Sequence, residues 1–201
     1  MGNSVIAINR EYGAGGRTLA ALLSEKLGIP WFEKDFVMKT VEESGYEKEE
    51  VERSGEELSV AGKVLDDFLN SAVTYQSSHD AIFEAEKKVV LELAEKPCII
   101  VGRCAGQILQ ENGKDVISIF LRAPIEHRLK RAAELAENGG EKLEKFVEER
   151  DKRRNTFCKL HTGREITDSS IYTMCFDVSK VSIPTCAEII EKVVKERDNE
   201  A

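Results

Sequence analysis

A group of glycines near the start of the sequence has the composition and spacing of an anion-binding loop. An apolar run at 5–8 leads into Gly13, Gly15 and Gly16, and leucines at helical spacing follow immediately. A helix that begins directly after such a loop directs unpaired backbone N–H groups and the positive end of its dipole toward one point. The pattern therefore predicts a strand, a phosphate-binding loop and a helix in succession. The residues predicted to contact phosphate are Gly13, Ala14, Gly15, Gly16, Arg17 and Thr18.

The loop does not match the standard phosphate-binding motif, G-x-x-x-x-G-K-[ST], because it has no lysine. One alignment places Gly16, Arg17 and Thr18 over the last three motif positions, so that Arg17 replaces lysine and Glu11 replaces the first glycine. A second alignment puts Gly16 at the lysine position. In both, the cation for the β- and γ-phosphates comes from Arg17 or from elsewhere in the chain. A glycine-rich turn without a ligand is the alternative.

Arg103 is a second candidate for phosphate binding, since it follows Gly102 at the end of an apolar run. In open α/β sheets, ligands bind beyond the carboxyl ends of the strands. If the run at 98–101 lies beside the run at 5–8, Arg103 lies at the same sheet edge as the glycine loop. A surface arginine with no ligand is the alternative.

Two predicted helices add further arginines. Arg128 and Arg131 follow Pro124 and share one helix face, three residues apart, and both are candidates for phosphate binding. A later, strongly charged helix contributes the candidate catalytic residues. These are Arg150, Asp151, Arg153 and Arg154, and Arg17 of the glycine loop is a further catalytic candidate. Phosphoryl transfer requires such cations, because negative charge builds on the transferring group. The alternative is a solvated helix face with alternating charges.

The elements that must position these residues follow from the apolar pattern. Strands are predicted at 5–9, 98–101, 116–121 and 172–178, with 29–32 as a short fifth strand. Helical periodicity fills most of the intervening sequence, which favours an α/β fold with a parallel sheet flanked by helices. The last predicted helix follows Pro184 and has one apolar face. That face comprises Cys186, Ile189, Ile190, Val193 and Val194.

Two long polar helical stretches exceed a minimal alternation of strands and helices. We expect residues 34–96 to form a helical insertion and residues 138–170 to form a second appended piece. The chain is then a single domain, 1–201, with its core at 1–33, 97–137 and 171–201. An apolar stripe in the insertion is a candidate homodimer face, and packing within the insertion is the alternative. The stripe comprises Val60, Val64, Leu65, Phe68 and Leu69.

Composition limits the partners and the compartment that we expect. The net charge is −8 and the pI is about 5.1, which argues against a nucleic-acid partner. No apolar run approaches the length of a membrane span, and the N-terminus lacks the apolar core of a signal peptide. We therefore predict a cytoplasmic protein with neither a membrane nor a nucleic acid as partner.

The cysteines and histidines show no pattern of a disulfide framework or a metal site. The five cysteines are scattered and never have C-x-x-C spacing, and the three histidines are far apart. Cys98 and Cys175 lie in apolar runs, so both are predicted to be small buried side chains.

Several segments resemble one known family in their order and spacing. They are the glycine loop, LGIPWFEKD at 27–35, VGRCA at 101–105, LRAPIEHRLKR at 121–131 and ERDKRR at 149–154. Together they resemble the cytidylate kinase-like proteins, relatives of the P-loop nucleoside monophosphate kinases. The resemblance covers nearly the whole chain. The loop REYGAGGR is similar to that of the divergent branch of this family.

The resemblance implies a domain organisation and a reaction. Residues 34–96 would bind the monophosphate, and residues 138–170 would form a lid. The reaction would be Mg²⁺-dependent transfer of the ATP γ-phosphate to a nucleoside monophosphate, with CMP or dCMP the best-fitting acceptor. Two alternatives stay open: a nucleotide-binding regulatory protein with weak or no transfer, and a kinase for another small metabolite.

The resemblance also implies roles for single residues. Arg103 would contact the acceptor phosphate, and Glu33, with Asp35 as a neighbouring candidate, would serve the acceptor nucleotide or a hydrated Mg²⁺. Thr18 would supply a hydroxyl near Mg²⁺. The arginines of the charged helix would close over the donor and transferring phosphates, oriented by Asp151.

Overall fold

A parallel β-sheet forms the centre of the computed structural model, which describes residues 4–33, 35–45 and 72–200. Within these residues the strand order is β2-β3-β1-β4-β5, and all four neighbouring pairs are parallel. The strands are β1 (Val5–Arg10), β2 (Trp31–Phe32), β3 (Cys98–Val101), β4 (Val116–Arg122) and β5 (Met174–Asp177). The prediction of an α/β fold with a parallel sheet is confirmed, and all five predicted strands occur.

Helices connect the strands along the described part of the chain. They are α1 (Gly16–Leu27), α2 (Asp35–Ser44), α3 (Ala72–Leu93), α4 (Ala105–Glu111), α5 (Ile125–Leu135), α6 (Leu143–Thr162) and α7 (Ile183–Glu200). A short 3₁₀ turn at Ser169–Ile171 precedes β5. None of the described helices is both long enough and apolar enough to cross a membrane.

The central strand β1 is buried on both faces, which explains its continuous apolar sequence. Ile6 and Ile8 pack with α1 and α7, whereas Val5 and Ala7 pack with α3 and α4 on the opposite face. Gly102, after β3, donates its backbone N–H to the carbonyl of Ile8 at 2.9 Å. The glycine loop after β1 and Arg103 after β3 therefore start from neighbouring strands, as expected.

The end of the predicted insertion contributes to the core. Val89, Val90 and Leu93 of α3 are buried against the sheet. The boundaries proposed for the insertion and the lid stay predictions. The candidate dimer stripe lies outside the described residues. It comprises Val60, Val64, Leu65, Phe68 and Leu69.

The structure corrects one expectation about the cysteines. Cys98 is buried in β3, as predicted, but Cys175 is exposed. Cys175 lies on β5, the last strand of the sheet order, which has a neighbour on one side only. The apolar sequence of this outermost strand therefore did not imply that Cys175 is buried. All five cysteines are free thiols.

Fewer residues of α7 are buried than its apolar face in the sequence indicated. Two neighbouring isoleucines, one buried and one exposed, therefore provide a matched pair of variants. Ile190 is 0% exposed in the core between α1 and the sheet, whereas Ile189 is 40% exposed. We expect Ile190→Ala to lower the free energy of unfolding by about 2–5 kcal/mol, because it leaves a cavity. Ile189→Ala should cost about 1 kcal/mol or less. Urea denaturation measures both, and equal losses would contradict this packing of α7.

Candidate functional site

The glycine loop joins β1 to α1 in a conformation that requires glycine. Gly13 and Gly15 have φ angles of +79° and +91°, in the left-handed region, and Gly15 caps α1. A Cβ added to Gly13 would lie 2.6 Å from the backbone carbonyl oxygen of Arg128. The loop therefore packs directly on the first turn of α5, at a distance that no side chain allows.

Arg128 itself is buried and links four other parts of the site. Its Nε donates to the carbonyl of Ala123 at 2.8 Å, and its Nη1 donates to the carbonyl of Tyr12 at 3.0 Å. Nη1 also lies 2.5 Å from Oδ2 of Asp151, and Nε lies 3.3 Å from Oε2 of Glu11. Two carboxylates thus compensate one buried guanidinium. In this structure the guanidinium of Arg128 holds the loop, α5 and α6 together, and phosphate binding by Arg128 stays a prediction.

Asp151 was expected to orient the arginines of α6, and the structure shows it in contact with the loop. Its Oδ1 accepts the backbone N–H of Tyr12 at 2.6 Å, and its Oδ2 accepts from Arg128. The two carboxylate oxygens of Asp151 therefore fix α6 to the glycine loop and to Arg128.

The loop forms one side of an open cleft that is lined by both glycines and cations. Gly13, Gly15 and Gly16 contribute backbone to the lining. Four arginines line the same cleft, from four different segments. They are Arg10, Arg17, Arg131 and Arg154. The structure thus brings together three predicted phosphate-binding or catalytic arginines and one, Arg10, that was not predicted. Such a concentration of donors suits a polyanionic ligand.

Two carboxylates neutralise part of this positive charge. Glu33, directly after β2, lies 3.2 Å from Nη2 of Arg10 and 2.5 Å from Nε of Arg17. Glu137, just after α5, accepts from Nη1 of Arg17 at 3.0 Å and from the hydroxyl of Tyr12 at 2.7 Å. Arg17 therefore bridges two carboxylates at the mouth of the cleft. Burial and the hydrogen bond to Glu137 raise the pKa of Tyr12 to about 12, so its hydroxyl stays a donor at neutral pH.

Arg154 reaches from α6 over the start of the loop. Its guanidinium lies 5.5 Å from the ring centroid of Tyr12 and donates to the carbonyl of Arg10 at 3.3 Å. A second cleft is lined by Arg10, Glu11, Asp151 and Arg154 among others. Arg154 lines both clefts.

The two other arginines of α6 lie close by. The guanidinium of Arg150 stacks over the ring of Phe146 at 4.9 Å. Burial lowers the pKa of Arg150, and the positive charges of Arg153 and Arg17 lower it further. Arg153 lies 3.7 Å from Glu149 on the preceding turn. Positive charges that repel one another in this way would be stabilised by an anion.

Arg103 follows β3 in a strained turn and pairs with α3. Gly102, Arg103 and Cys104 have φ angles of +85°, +58° and +50°, which non-glycine residues seldom adopt. The guanidinium of Arg103 forms a salt bridge with the buried Glu86 of α3. Arg103 thus lies at the sheet edge that the sequence predicted, and it ties α3 to that edge. Backbone strain of this kind is concentrated at functional sites.

The donor set of the cleft can be tested against the Mg²⁺ that the resemblance implies. Mg²⁺ prefers oxygen ligands and is commonly held by one or two carboxylates together with substrate phosphates. The described residues contain no cluster of three or more metal-ligating side chains. Thr18 accepts a hydrogen bond from Arg131, a residue of the cleft, and Glu33 lines the cleft itself. The hydroxyl and the carboxylate are oxygen donors of the kind that Mg²⁺ takes together with phosphates, and in this structure both contact arginines. Asp35 is the first residue of α2.

Several residues of the site were absent from the sequence prediction. Among them are Arg10, Tyr12 and Glu137. Arg10 and Tyr12 flank Glu11 inside the motif itself, so their position was a usable signal. Glu137 had no such signal, because only the packing of α5 on the loop brings it near Tyr12.

The sequence is similar to those of known proteins. The sequence profile of the "Cytidylate kinase-like family" matches residues 5–180. A cytidylate kinase from Methanococcus vannielii is 27% identical over 193 residues, which cover 95% of this chain and 99% of that protein.

Solved structures share the fold. An uncharacterized protein from Eubacterium ventriosum superposes with a TM-score of 0.65 at 23% identity, covering 96% of this chain and 98% of the other. Shikimate kinase from Bacteroides thetaiotaomicron gives a TM-score of 0.55 at 15% identity, with coverages of 96% and 98%.

The contact between Gly13 and α5 predicts a specific instability. Gly13→Ala should lower the free energy of unfolding through a strained φ, at about 1–2 kcal/mol, and through overpacking, at about 1–3 kcal/mol more. Gly28→Ala is the matched control, since Gly28 has a φ of +66° but nothing lies within 4 Å of its added Cβ. Urea denaturation of both variants isolates the overpacking cost. Equal losses would show that α5 yields to the new methyl group.

The position of Arg128 predicts a large effect on stability. Arg128→Ala leaves Asp151 and the carbonyl of Tyr12 without their donor, so we expect the free energy of unfolding to fall by about 3 kcal/mol or more. Arg153→Ala, which removes a more exposed pair with Glu149, should change it by about 0.5 kcal/mol at most. Denaturant titration checks both variants. A small effect at Arg128 would contradict its role in holding the loop.

Proposed function

The chain belongs to the cytidylate kinase-like family, and we propose that it transfers the γ-phosphate of ATP to a nucleoside monophosphate, with CMP or dCMP as the preferred acceptor. The observation that supports this proposal most directly is the cleft beside the glycine loop. Backbone of the loop and four arginines line it together. The name of the Methanococcus vannielii relative supports the choice of an acceptor with cytosine as its base.

The proposed reaction needs no nucleophilic side chain. A phosphate oxygen of the acceptor attacks the γ-phosphorus, the bond from that phosphorus to the β–γ bridging oxygen breaks, and ADP leaves. The protein then contributes positioning and charge stabilisation. In this proposal the backbone N–H groups of the glycine loop bind the donor phosphates. Arg17, Arg131 and Arg154 contribute charge around them.

The helix α6 would serve as the lid. It carries Arg150, Arg153 and Arg154, and Asp151 anchors it to the loop. A lid that closes excludes water from the transferring phosphate, which strengthens each charge interaction and suppresses hydrolysis. The mutual repulsion at Arg150 supports this role, since a phosphate would relieve it.

The acceptor would bind on the side of the insertion. Arg103 is proposed to contact its phosphate and would then share that guanidinium between Glu86 and the ligand. Glu33 and Asp35 are the candidate acceptor-binding carboxylates. Mg²⁺, when bound, neutralises charge on the donor phosphates, and Thr18 and Glu33 are the oxygen donors that would hold it.

One sequence feature favours a second candidate function. The loop lacks the lysine of the standard motif. A protein that binds nucleotides for regulation and transfers phosphate weakly or not at all would keep the cleft and tolerate that loss. Binding without turnover would distinguish it. A kinase for another small metabolite would turn over ATP with a different acceptor, since the fold does not determine the substrate.

Purified protein with ATP, Mg²⁺ and a panel of nucleoside monophosphates should form ADP, most rapidly with CMP or dCMP, in a coupled assay for ADP. Arg154→Ala should lower kcat/KM about 100-fold, because it removes a charged donor from the cleft. Arg197→Ala is the control for the loss of an arginine away from the cleft. Arg197 lies on α7 and forms an exposed pair with Asp115. Absence of turnover across the whole panel would refute the proposal.

A further inference from the structure

With Gly15 at its sixth position, the glycine loop departs from the standard motif at three positions, and two of the changes are reciprocal. The motif G-x-x-x-x-G-K-[ST] has glycine at its first position and lysine at its seventh. In this alignment Arg10 stands at the first position and Gly16 at the seventh, and Arg17 replaces the serine or threonine of the eighth. The cation and the small residue have therefore exchanged places. Their separation along the chain is unchanged.

The backbone of Gly16 does not explain why this position is glycine. Gly16 is the first residue of α1 and lies outside the left-handed region, so any residue could adopt its conformation. Its surroundings give the reason. An added Cβ would lie 3.1 Å from both Cγ and Cδ of Arg10 and 3.5 Å from its Cβ. The side chain of Arg10 thus occupies the space into which a side chain at position 16 would extend.

Arg10 is also placed where a phosphate-binding cation is needed. It is the last residue of β1, and it lines the cleft together with the loop glycines. Its side chain is only 9% exposed, whereas that of Arg17 is 44% exposed. A guanidinium held largely out of water attracts an anion more strongly than an exposed one does. Glu33 contacts Arg10 at 3.2 Å, which restricts the orientation of the guanidinium.

We propose that Arg10 is the cation that binds the β- and γ-phosphates of the donor nucleotide, in the role that lysine has in the standard loop. Arg17, one of the candidates that the sequence left open for this role, bridges Glu33 and Glu137 at the mouth of the cleft. Arginine suits this position because its planar fork binds phosphate oxygens in pairs. The proposal rests on the proposed function only in taking nucleotide phosphates as the ligand.

Calorimetric binding of Mg-ATP and of AMP tests the proposal without requiring turnover. Arg10→Gln, which keeps much of the side-chain volume, should weaken ATP binding by on the order of 10–100-fold. AMP, which has no β- or γ-phosphate, should lose far less. Arg17→Ala should weaken ATP binding less than Arg10→Gln does. Thermal unfolding of each variant confirms that the chain is folded.

A transplanted lysine makes the test specific. In the double variant Arg10→Ala/Gly16→Lys, the vacated space accommodates the lysine, and ATP affinity should return to within about tenfold of the wild-type value. Gly16→Lys alone should impair binding, since Arg10 fills that space. Arg10→Ala alone is the matched reference for the rescue.

The outcomes separate this inference from the proposed function. Unchanged ATP affinity in Arg10→Gln, or a loss that the transplanted lysine does not rescue, would overturn the role of Arg10. A wild-type protein that binds ATP but turns over no acceptor would refute the proposed function and leave the binding series able to support Arg10. A wild-type protein that binds no ATP would overturn both.

Discussion

The burial of one guanidinium, that of Arg128, constrains most of the site. Its donors are directed to the backbone of Ala123 and Tyr12 and to the carboxylates of Asp151 and Glu11. A buried charge is tolerated only where opposite charges and hydrogen bonds compensate it. Any change that separated the β4–α5 connection, the glycine loop or the part of α6 at Asp151 would therefore deprive this charge of a partner.

This constraint explains how an open loop can be rigid enough to bind an anion. Pre-oriented N–H groups stabilise negative charge because they need no reorganisation when the ligand arrives. The carbonyl of Arg128 packs where a Cβ of Gly13 would lie, and its guanidinium holds Tyr12 from the other side. The same arginine anchors α6 through Asp151, so lid and loop share one buried connection.

The cleft itself is a balance between cations and carboxylates. Arginines from β1, α1, α5 and α6 would repel one another, and Glu33 and Glu137 moderate this repulsion. Arg17 joins the two carboxylates, so a nucleotide phosphate that enters must compete with them for the arginines. Arg10 is more buried than Arg17, and its side chain lies against Gly16 because glycine has no side chain there. A loop without lysine can therefore retain a cation at the phosphates.

Local patterns were enough to predict the strands, the flanking helices and the glycine loop, because period and turn chemistry depend on neighbours in sequence. The same local patterns could not predict which arginines line the cleft. Arg128 and Arg131 are three residues apart on one helix face, yet Arg128 is buried and Arg131 lines the cleft. Long side chains take their direction from partners that are remote in sequence. The guanidinium of Arg128 contacts Asp151, more than twenty residues away, and that of Arg131 contacts Thr18, more than a hundred residues away. Only the tertiary structure brings these groups together.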